Sequence, residues 1–398
     1  MGRKKIVLIG GGPACLMAAD LLADHCDVII YERGKTIGRK FLVAGKGGFN
    51  LTNSATGDVL LHHFTDHPIL RSALQSFDSL RTRAWLDEMG ISTFTGTSGR
   101  IFPLPAIKPA TVLSRIKARL KQKGVSLLVN STFIGFSKAV LPIIEQNGQT
   151  FEVEADHVIF GLGGASWSKT GSSGEWLSYF EELGIKTLPF EASNCGINVN
   201  FPADIIAQFA GTPIKNCALS IGDYSAKGEI LLTKYGLEGN LIYPSIPTIR
   251  KRLASGDETI LHLDLKPNNT KASLLEKTNK GQLKSKHYKP VFKLDSLAIS
   301  LLKSEMPKSA YLNAIELVEK IKAFPIKVQS LRPIEEAIST VGGISLEELN
   351  HDFTLKKYPH LSVIGEMLNW DAPTGGFLLQ GCFSTGYDAA ATLIKTKD

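Results

Sequence analysis

The chain has 398 residues, 43% of them apolar and 21% charged, with a net charge of +7 and a pI near 9.0. Those values exclude a disordered tail and leave room for two or three lobes with substantial cores. Cys15, Cys26, Cys195, Cys217 and Cys382 form no C-x-x-C pair, so neither a redox dithiol nor a zinc site of familiar spacing is expected. No run approaches the ~18 apolar residues that a membrane span needs, and no C-terminal lipidation motif appears. The expected location is a reduced, cytoplasmic one.

The first element is the most informative. Ile6-Val7-Leu8-Ile9 suits a buried parallel strand, and the apolar spacing of Leu16–Leu22 suits a helix. Between them lies Gly10-Gly11-Gly12-Pro13-Ala14-Cys15. Gly10 permits a tight turn, and Gly12 lets the backbone approach a pyrophosphate that meets the N–H groups and dipole of the helix N-terminus. The basic start, Arg3-Lys4-Lys5, resembles that of a secretory signal, but this fingerprint explains the same residues better. A second strand, Val28–Tyr31, then leaves Glu32 at its end, about 20 residues on, where a ribose would sit. A 2′-phosphate about 4 Å from that carboxylate would cost about 4 kcal/mol at an effective dielectric near 20, which disfavours NADP here. Cys15 departs from the Gly or Ala usual at the third fingerprint position, and a small shift of the helix is expected to absorb the thiol.

Residues 38–53 follow, with four glycines, basic side chains and Asn/Thr donors. They read as a loop wrapped close to phosphate and to the polar edge of a flat heterocycle. Residues 69–123 read as largely helical with a turn around Gly96–Pro105. Strands are expected at Val125–Val129, Ala139–Glu145 and Thr150–Glu154, and a further parallel strand over 155–160 ends in a second glycine turn, Gly161–Ser166.

From about Pro189 the texture changes to short strands and turns, including Gly196–Phe201, Ala218–Ser220 and Gly228–Thr233. Residues 268–322 carry helix-compatible segments such as Asn313–Lys322. The lysine-rich stretch Lys277–Lys289 reads as a solvated basic loop, with Tyr288 and Phe292 as its few aromatics. Near the end, Leu361–Glu366 reads as a strand closing in Gly-acid, followed by Gly375-Gly376-Phe377, by Ser384-Thr385-Gly386 and by a final helix over Asp388–Lys395 whose positive end would face a ligand.

Together, the fingerprint with Glu32, the 38–53 loop, the Gly161–Ser166 turn and the Gly365–Gly376 segment resemble a bacterial family of FAD-dependent oxidoreductases. Its members are often labelled aminoacetone-oxidase-like or NAD(P)/FAD-dependent oxidoreductases, and the resemblance covers nearly the whole chain. It implies an α/β fold: a glutathione-reductase-like FAD-binding Rossmann domain, with inserted β-barrel-like and helical lobes. The FAD domain would be discontinuous, 1–188 with 341–398; the β-rich lobe would take 189–267 with 323–340, and the helical lobe 268–322.

The resemblance also implies a site for non-covalent FAD. Gly10, Gly12, Pro13, Ala14 and Cys15 would hold the pyrophosphate, Glu32 the adenosine ribose with Arg33 beside it, and the Phe133 backbone the adenine. Lys40, Gly45, Gly47, Gly48, Asn50 and Thr52 would line the inner pyrophosphate and flavin, with Lys46 near the flavin N1–C2=O edge. Gly161 and Gly163 would approach the ligand, and Gly365, Glu366, Gly375, Gly376 and Phe377 would hold the ribityl chain and the ring edge. Phe49 stands where the family commonly has cysteine.

The expected activity is hydride transfer between flavin and a small organic substrate, with NAD(P)H as a transient electron donor. No second glycine fingerprint marks a separate nicotinamide domain, and no acid–base constellation marks a catalytic residue: His262, His287 and His360 are isolated, and Tyr243 is a candidate for the pocket wall only. Two other readings are an RNA-associated flavoprotein related to tRNA-modifying FAD enzymes, for which Lys277–Lys289 is the supporting feature, and a flavin-binding protein without catalysis. A nucleic-acid partner is not expected, because stacking aromatics are few in that stretch.

Overall fold

In the computed structural model, which describes residues 2–43, 48–168, 171–278 and 288–395, β1 (Lys5–Ile9) is the central strand of a five-stranded parallel sheet. Its neighbours are β2 (Asp27–Glu32) and β4 (His157–Phe160), flanked by β3 (Ser126–Val129) and β5 (Leu361–Val363), in the order 3-2-1-4-5. Burial of Ile6, Val7, Leu8 and Ile9 and of Val158, Ile159 and Phe160 accounts for the continuous apolar runs of these strands. The order reverses between β1 and β4. A ligand crevice therefore opens at the carboxyl ends of those two strands.

Helix α1 (Pro13–Leu22) starts on Pro at its first position, where the missing N–H costs nothing. It packs against α2 (Phe377–Lys395). The long α2 corrects the expectation of a helix confined to Asp388–Lys395. Gly386 lies inside the helix rather than in a turn, because a Cβ there would stand 2.2 Å from the Ala14 carbonyl oxygen. Ser384 and Thr385 donate to the Phe77 and Gly381 carbonyls, which satisfies polar groups that read in sequence as a loop.

Two three-stranded antiparallel sheets also belong to this unit, which comprises Met1–Glu191 and Ile338–Asp398. One joins Thr93–Thr95 and Arg100–Pro103 to Thr52–Asn53, replacing the turn expected around Gly96–Pro105 with a hairpin. The other pairs Ser131–Phe136, Pro142–Gln146 and Gln149–Glu152. Its first strand was not anticipated, and the strand expected from Ala139 starts at Pro142 because Val140 takes a positive φ in the preceding turn.

The second unit, Ala192–Ala337, carries a seven-stranded antiparallel sheet in which Phe324–Lys327 forms one edge and Ser330–Leu331 the other. Val328 donates to the Thr259 carbonyl and Gln329, the next residue, to that of Asn198. Adjacent residues thus bond to opposite ends of the sheet, which curls it into a barrel. Leu274, Phe292, Leu297, Leu301 and Leu317 from the helices share one buried cluster with Leu219, Ile230 and Leu261 from the strands.

Candidate functional site

A cavity of about 210 Å³ opens over the ends of β1, β2, β4 and β5 and is lined entirely by residues of the first unit. Gly10 takes φ +110° and donates to the Tyr31 carbonyl at 2.8 Å, so the loop turns sharply between β1 and α1. A Cβ on Gly10 would lie 2.4 Å from the Gly161 oxygen, whereas one on Gly12 would meet only that oxygen, at 3.7 Å. The first glycine is therefore needed for packing, and the second leaves open space for an incoming group.

Glu32, at the end of β2, accepts from Gly11 N at 2.7 Å and from Gly34 N at 2.6 Å. Those bonds fix the carboxylate in the cavity wall, and each of its oxygens keeps further acceptor capacity. Arg33 donates to the Gly171 carbonyl and lies 3.7 Å from Glu175. Phe133 contributes an aromatic wall with Tyr179 at a ring-centroid distance of 5.5 Å, and Trp176 donates to the Gly163 carbonyl.

At the other end, Lys40 Nζ lies 2.9 Å from Glu366 Oε2 and 2.9 Å from Ser166 Oγ. This pair ties the segment after β2 to the end of β5. Gly365, at φ +71°, donates to Thr385 Oγ1 of α2.

The cavity thus brings together Gly10, Gly12, Pro13, Ala14, Glu32, Arg33, Lys40, Phe133, Gly161, Gly163, Gly365 and Glu366. Cys15 lies beneath the loop and outside the lining, fully buried, with its thiol pKa pushed up by burial and then by Glu32. Gly161 supplies the room for its sulphur. Gly375 and Gly376, with φ of +107° and +102°, lead into α2, and a Cβ on Gly376 would stand 2.2 Å from the Thr52 oxygen. Thr52 donates to Gln380 of α2, Asn53 donates to Gly375, and the Phe377 ring lies tilted against that of His63 at a centroid distance of 4.1 Å. These residues, with Gly48 and Asn50 leading into Thr52, form a second cluster around the start of α2 rather than part of the cavity lining. Gly45, Lys46 and Gly47 lie outside the described residues, as do His287 and most of Lys277–Lys289.

Sequence reasoning missed Ser172, Trp176, Tyr179 and Cys382, all in the lining. Trp176 and Tyr179 stand at and just inside a short helix that no motif marks, and Cys382 lies inside α2, where an apolar helix face gave no signal. Among the described residues no group of three or more His, Cys, Asp or Glu could hold a metal.

The residues fit a dinucleotide: the glycine turn leaves space at Gly12, the Glu32 carboxylate is fixed beside it, and Lys40 stands with Glu366 at the other end. A parallel Rossmann sheet with this site at its switch point defines the class, an FAD-dependent oxidoreductase of glutathione-reductase-like fold. The chain belongs to the family described as HI0933-like protein Rossmann domain, which it matches over residues 4–392. It is similar to the 3-dehydro-bile acid delta(4,6)-reductase of Clostridium scindens, with 26% identity over 96% of this chain and 97% of that protein. It is also similar to the ribosomal RNA dihydrouridine synthase of Escherichia coli, with 22% identity over the full length of both. Among solved structures, the 3-ketosteroid-delta4-(5alpha)-dehydrogenase of Rhodococcus jostii RHA1 shares the fold at a TM-score of 0.50 and 13% identity, over 98% of this chain and 97% of that one. No described helix is long and apolar enough to cross a membrane.

Proposed function

We propose that the protein uses non-covalently bound FAD to reduce a carbon–carbon double bond conjugated to a carbonyl group in a small organic substrate, with NAD(P)H as a transient electron donor. The observation that carries the cofactor reading is the Glu32 carboxylate, held by Gly11 and Gly34 at the edge of the glycine turn. Support for the reaction type comes from the two kinds of relative. A delta(4,6)-reductase and a dihydrouridine synthase are both named for saturating a double bond, and in a 3-dehydro steroid or a uracil ring that bond is activated by a neighbouring carbonyl.

FAD, when bound, supplies reversible two-electron hydride chemistry. The chain's own residues bind and orient it. Glu32 would accept from the ribose hydroxyls, each charged bond contributing roughly 1.5–3 kcal/mol. Gly10, Gly12, Pro13 and Ala14 would bring the N-terminus of α1 to the pyrophosphate. Lys40 and Glu366 would act as a donor–acceptor pair toward the phosphate and polyol segment, and Gly375, Gly376 and Phe377 would present the start of α2 to the pyrimidine edge of the flavin, where the positive helix end favours the reduced, anionic ring.

The test is the visible spectrum of the purified protein, followed by anaerobic NADH, NADPH and then an enone such as 4-androstene-3,17-dione. Flavin absorption, bleaching by a nicotinamide and recovery on adding the enone with formation of the saturated ketone are expected. A protein that neither carries nor takes up FAD, or a reduced flavin inert to every enone offered, overturns the reading. A second reading, reduction of a uracil ring in RNA, is favoured by the dihydrouridine synthase relatives. Dihydrouridine formed in an RNA transcript, with no enone reduction, would support it.

A further inference from the structure

Inside the first unit, one buried amide on α2 joins three segments of the chain. Gln380 is fully buried, and all four hydrogen-bonding positions of its amide are used. Its Oε1 accepts from Thr52 Oγ1 at 2.6 Å and from Thr82 Oγ1 at 2.9 Å, and its Nε2 donates to the Phe77 carbonyl at 2.8 Å and to Ser384 Oγ at 3.0 Å. The Phe77 carbonyl can only accept, which fixes the orientation of the amide. Ser384 donates to the same carbonyl at 2.6 Å, so none of these buried side chains is left without a partner.

The net stability of such a network is small, since apolar groups of the same shape would serve the core nearly as well. What it adds is a unique register. Gln380 N also donates to Gly376 O at 3.0 Å and so closes the first turn of α2. The same residue therefore holds that turn with its main chain and Thr52 with its side chain. The two backbones are already in contact there, because a Cβ on Gly376 would stand 2.2 Å from the Thr52 oxygen and 2.7 Å from the Thr52 Cα. Asn53 Nδ2 adds a bond to the Gly375 carbonyl at 3.0 Å. Thr82, the other donor to Gln380 Oε1, belongs to the helix Ser79–Glu88.

Helix α2 also connects this network to the cavity. Cys382 lines the cavity, and Phe377 starts the helix five residues earlier, about 7.5 Å along the axis at about 1.5 Å per residue. The N–H groups of the first turn precede any intrahelical acceptor, and they carry the positive end of the helix. A ligand that leaves the cavity along α2 toward Thr52 would meet them.

We propose that Gln380 is a positioning residue that sets the reduction potential of the bound flavin, by holding the start of α2 and the Thr52 segment in one register against the ring. The proposal rests on the reading above, in which FAD lies with its pyrimidine edge at Gly375, Gly376 and Phe377. Reduction places negative charge on that edge, and the first turn of α2 favours the reduced ring only while it is held close. Coulombic attraction falls with separation, so a turn that recedes from the ring loses more affinity for the reduced flavin than for the oxidised one. That difference in affinity is read as a lower potential.

The test uses the FAD-loaded full chain, whose flavin midpoint potential is measured by anaerobic dithionite titration against a reference dye. Gln380→Met keeps the length of the side chain and removes the amide. It is expected to weaken the preference for reduced over oxidised flavin about tenfold, which lowers the potential by about 30 mV for a two-electron couple. Thr52→Val and Thr82→Val each remove one donor to the same oxygen. Both should lower stability in urea to a similar extent, but only Thr52→Val should lower the potential; this pair keeps the proposal falsifiable should Gln380→Met misfold. In the double variant of Thr52→Val with Gln380→Met, the potential should fall no further than in Gln380→Met alone, because Thr52 acts through the amide. A wild-type potential in Gln380→Met or in Thr52→Val, an equal shift in Thr82→Val, or additive shifts in the double variant overturns the assignment and leaves the cofactor reading intact. A wild type that neither carries nor takes up FAD overturns both.

Discussion

Cys15 and Gly161 are a matched pair: a Cβ placed on Gly161 would lie 2.4 Å from Cys15 Sγ but 3.7 Å from Cys15 Cβ. The thiol that departs from the dinucleotide fingerprint on α1 is accommodated by a missing side chain at the end of β4. Gly161→Ala should therefore destabilise the protein by about 1–3 kcal/mol through overpacking. In a Cys15→Ala background the same change should be close to neutral. Urea unfolding of the four proteins in this double-mutant cycle measures the coupling, and a Gly161→Ala cost that is the same in both backgrounds would show that the two residues are independent.

Glu32 offers a second test, because its two oxygens already bond to Gly11 and Gly34. Glu32→Ala removes the acceptor for the ribose and unties the glycine turn at once. A loss of about 3 kcal/mol in FAD affinity, more than a hundredfold in Kd, is expected by titration of the FAD-free protein. Glu32→Gln keeps one acceptor oxygen and should lose less. Equal affinity in all three proteins would remove Glu32 from the site.

The parts of this site that were legible in the sequence are those whose physical reason is local. Gly10, Gly12 and Glu32 stand at a spacing set by one strand, one turn and one helix, so their placement could be read without the rest of the chain. Gly386 could not be read that way. Its lack of a side chain answers to Ala14, at the far end of the sequence, and a glycine beside Ser384 and Thr385 has the composition of a turn. Trp176, Tyr179 and Cys382 reach the cavity because of how distant elements pack, and nothing in their neighbours announces it. Tyr243, a candidate for the pocket wall, is absent from the cavity lining, and the stacking of Arg332 on Tyr235 joins segments too remote in sequence to be read locally.

His157, at the start of β4, contacts Ser362 Oγ on β5 at 2.8 Å and is buried. Burial lowers its pKa from 6.5 to about 4, an effect that nearby Asp352 partly opposes and His360 and Lys4 reinforce. The folded state then resists protonation while the unfolded chain does not. The stability His157 confers is complete above pH 6.5 and is lost as pH falls from 6.5 toward 4, by up to about 3 kcal/mol. His157→Gln should flatten that part of the profile in urea titrations at pH 7, 6 and 5. An unchanged slope would mean that other groups account for it.

Gly386→Ala sets helix propensity against packing. An alanine inside α2 should stabilise the helix by about 1 kcal/mol over glycine if nothing else matters. Its Cβ, however, would stand 2.2 Å from the Ala14 oxygen and 3.0 Å from the Ala14 carbonyl carbon, and both are backbone atoms in the first turn of α1 that cannot swing aside. The helices must separate, at a cost of about 3 kcal/mol, so the sign of the change is opposite to that of propensity. Because Ala14 also lines the cavity, the displacement should reach the N–H groups that face the pyrophosphate, and FAD affinity should fall together with stability. Urea unfolding of the FAD-free protein gives the first quantity and flavin titration the second. A stabilised variant would show that α1 and α2 are not held in contact at Gly386, and a destabilised one with unchanged FAD affinity would separate the packing of α1 from its role at the cofactor.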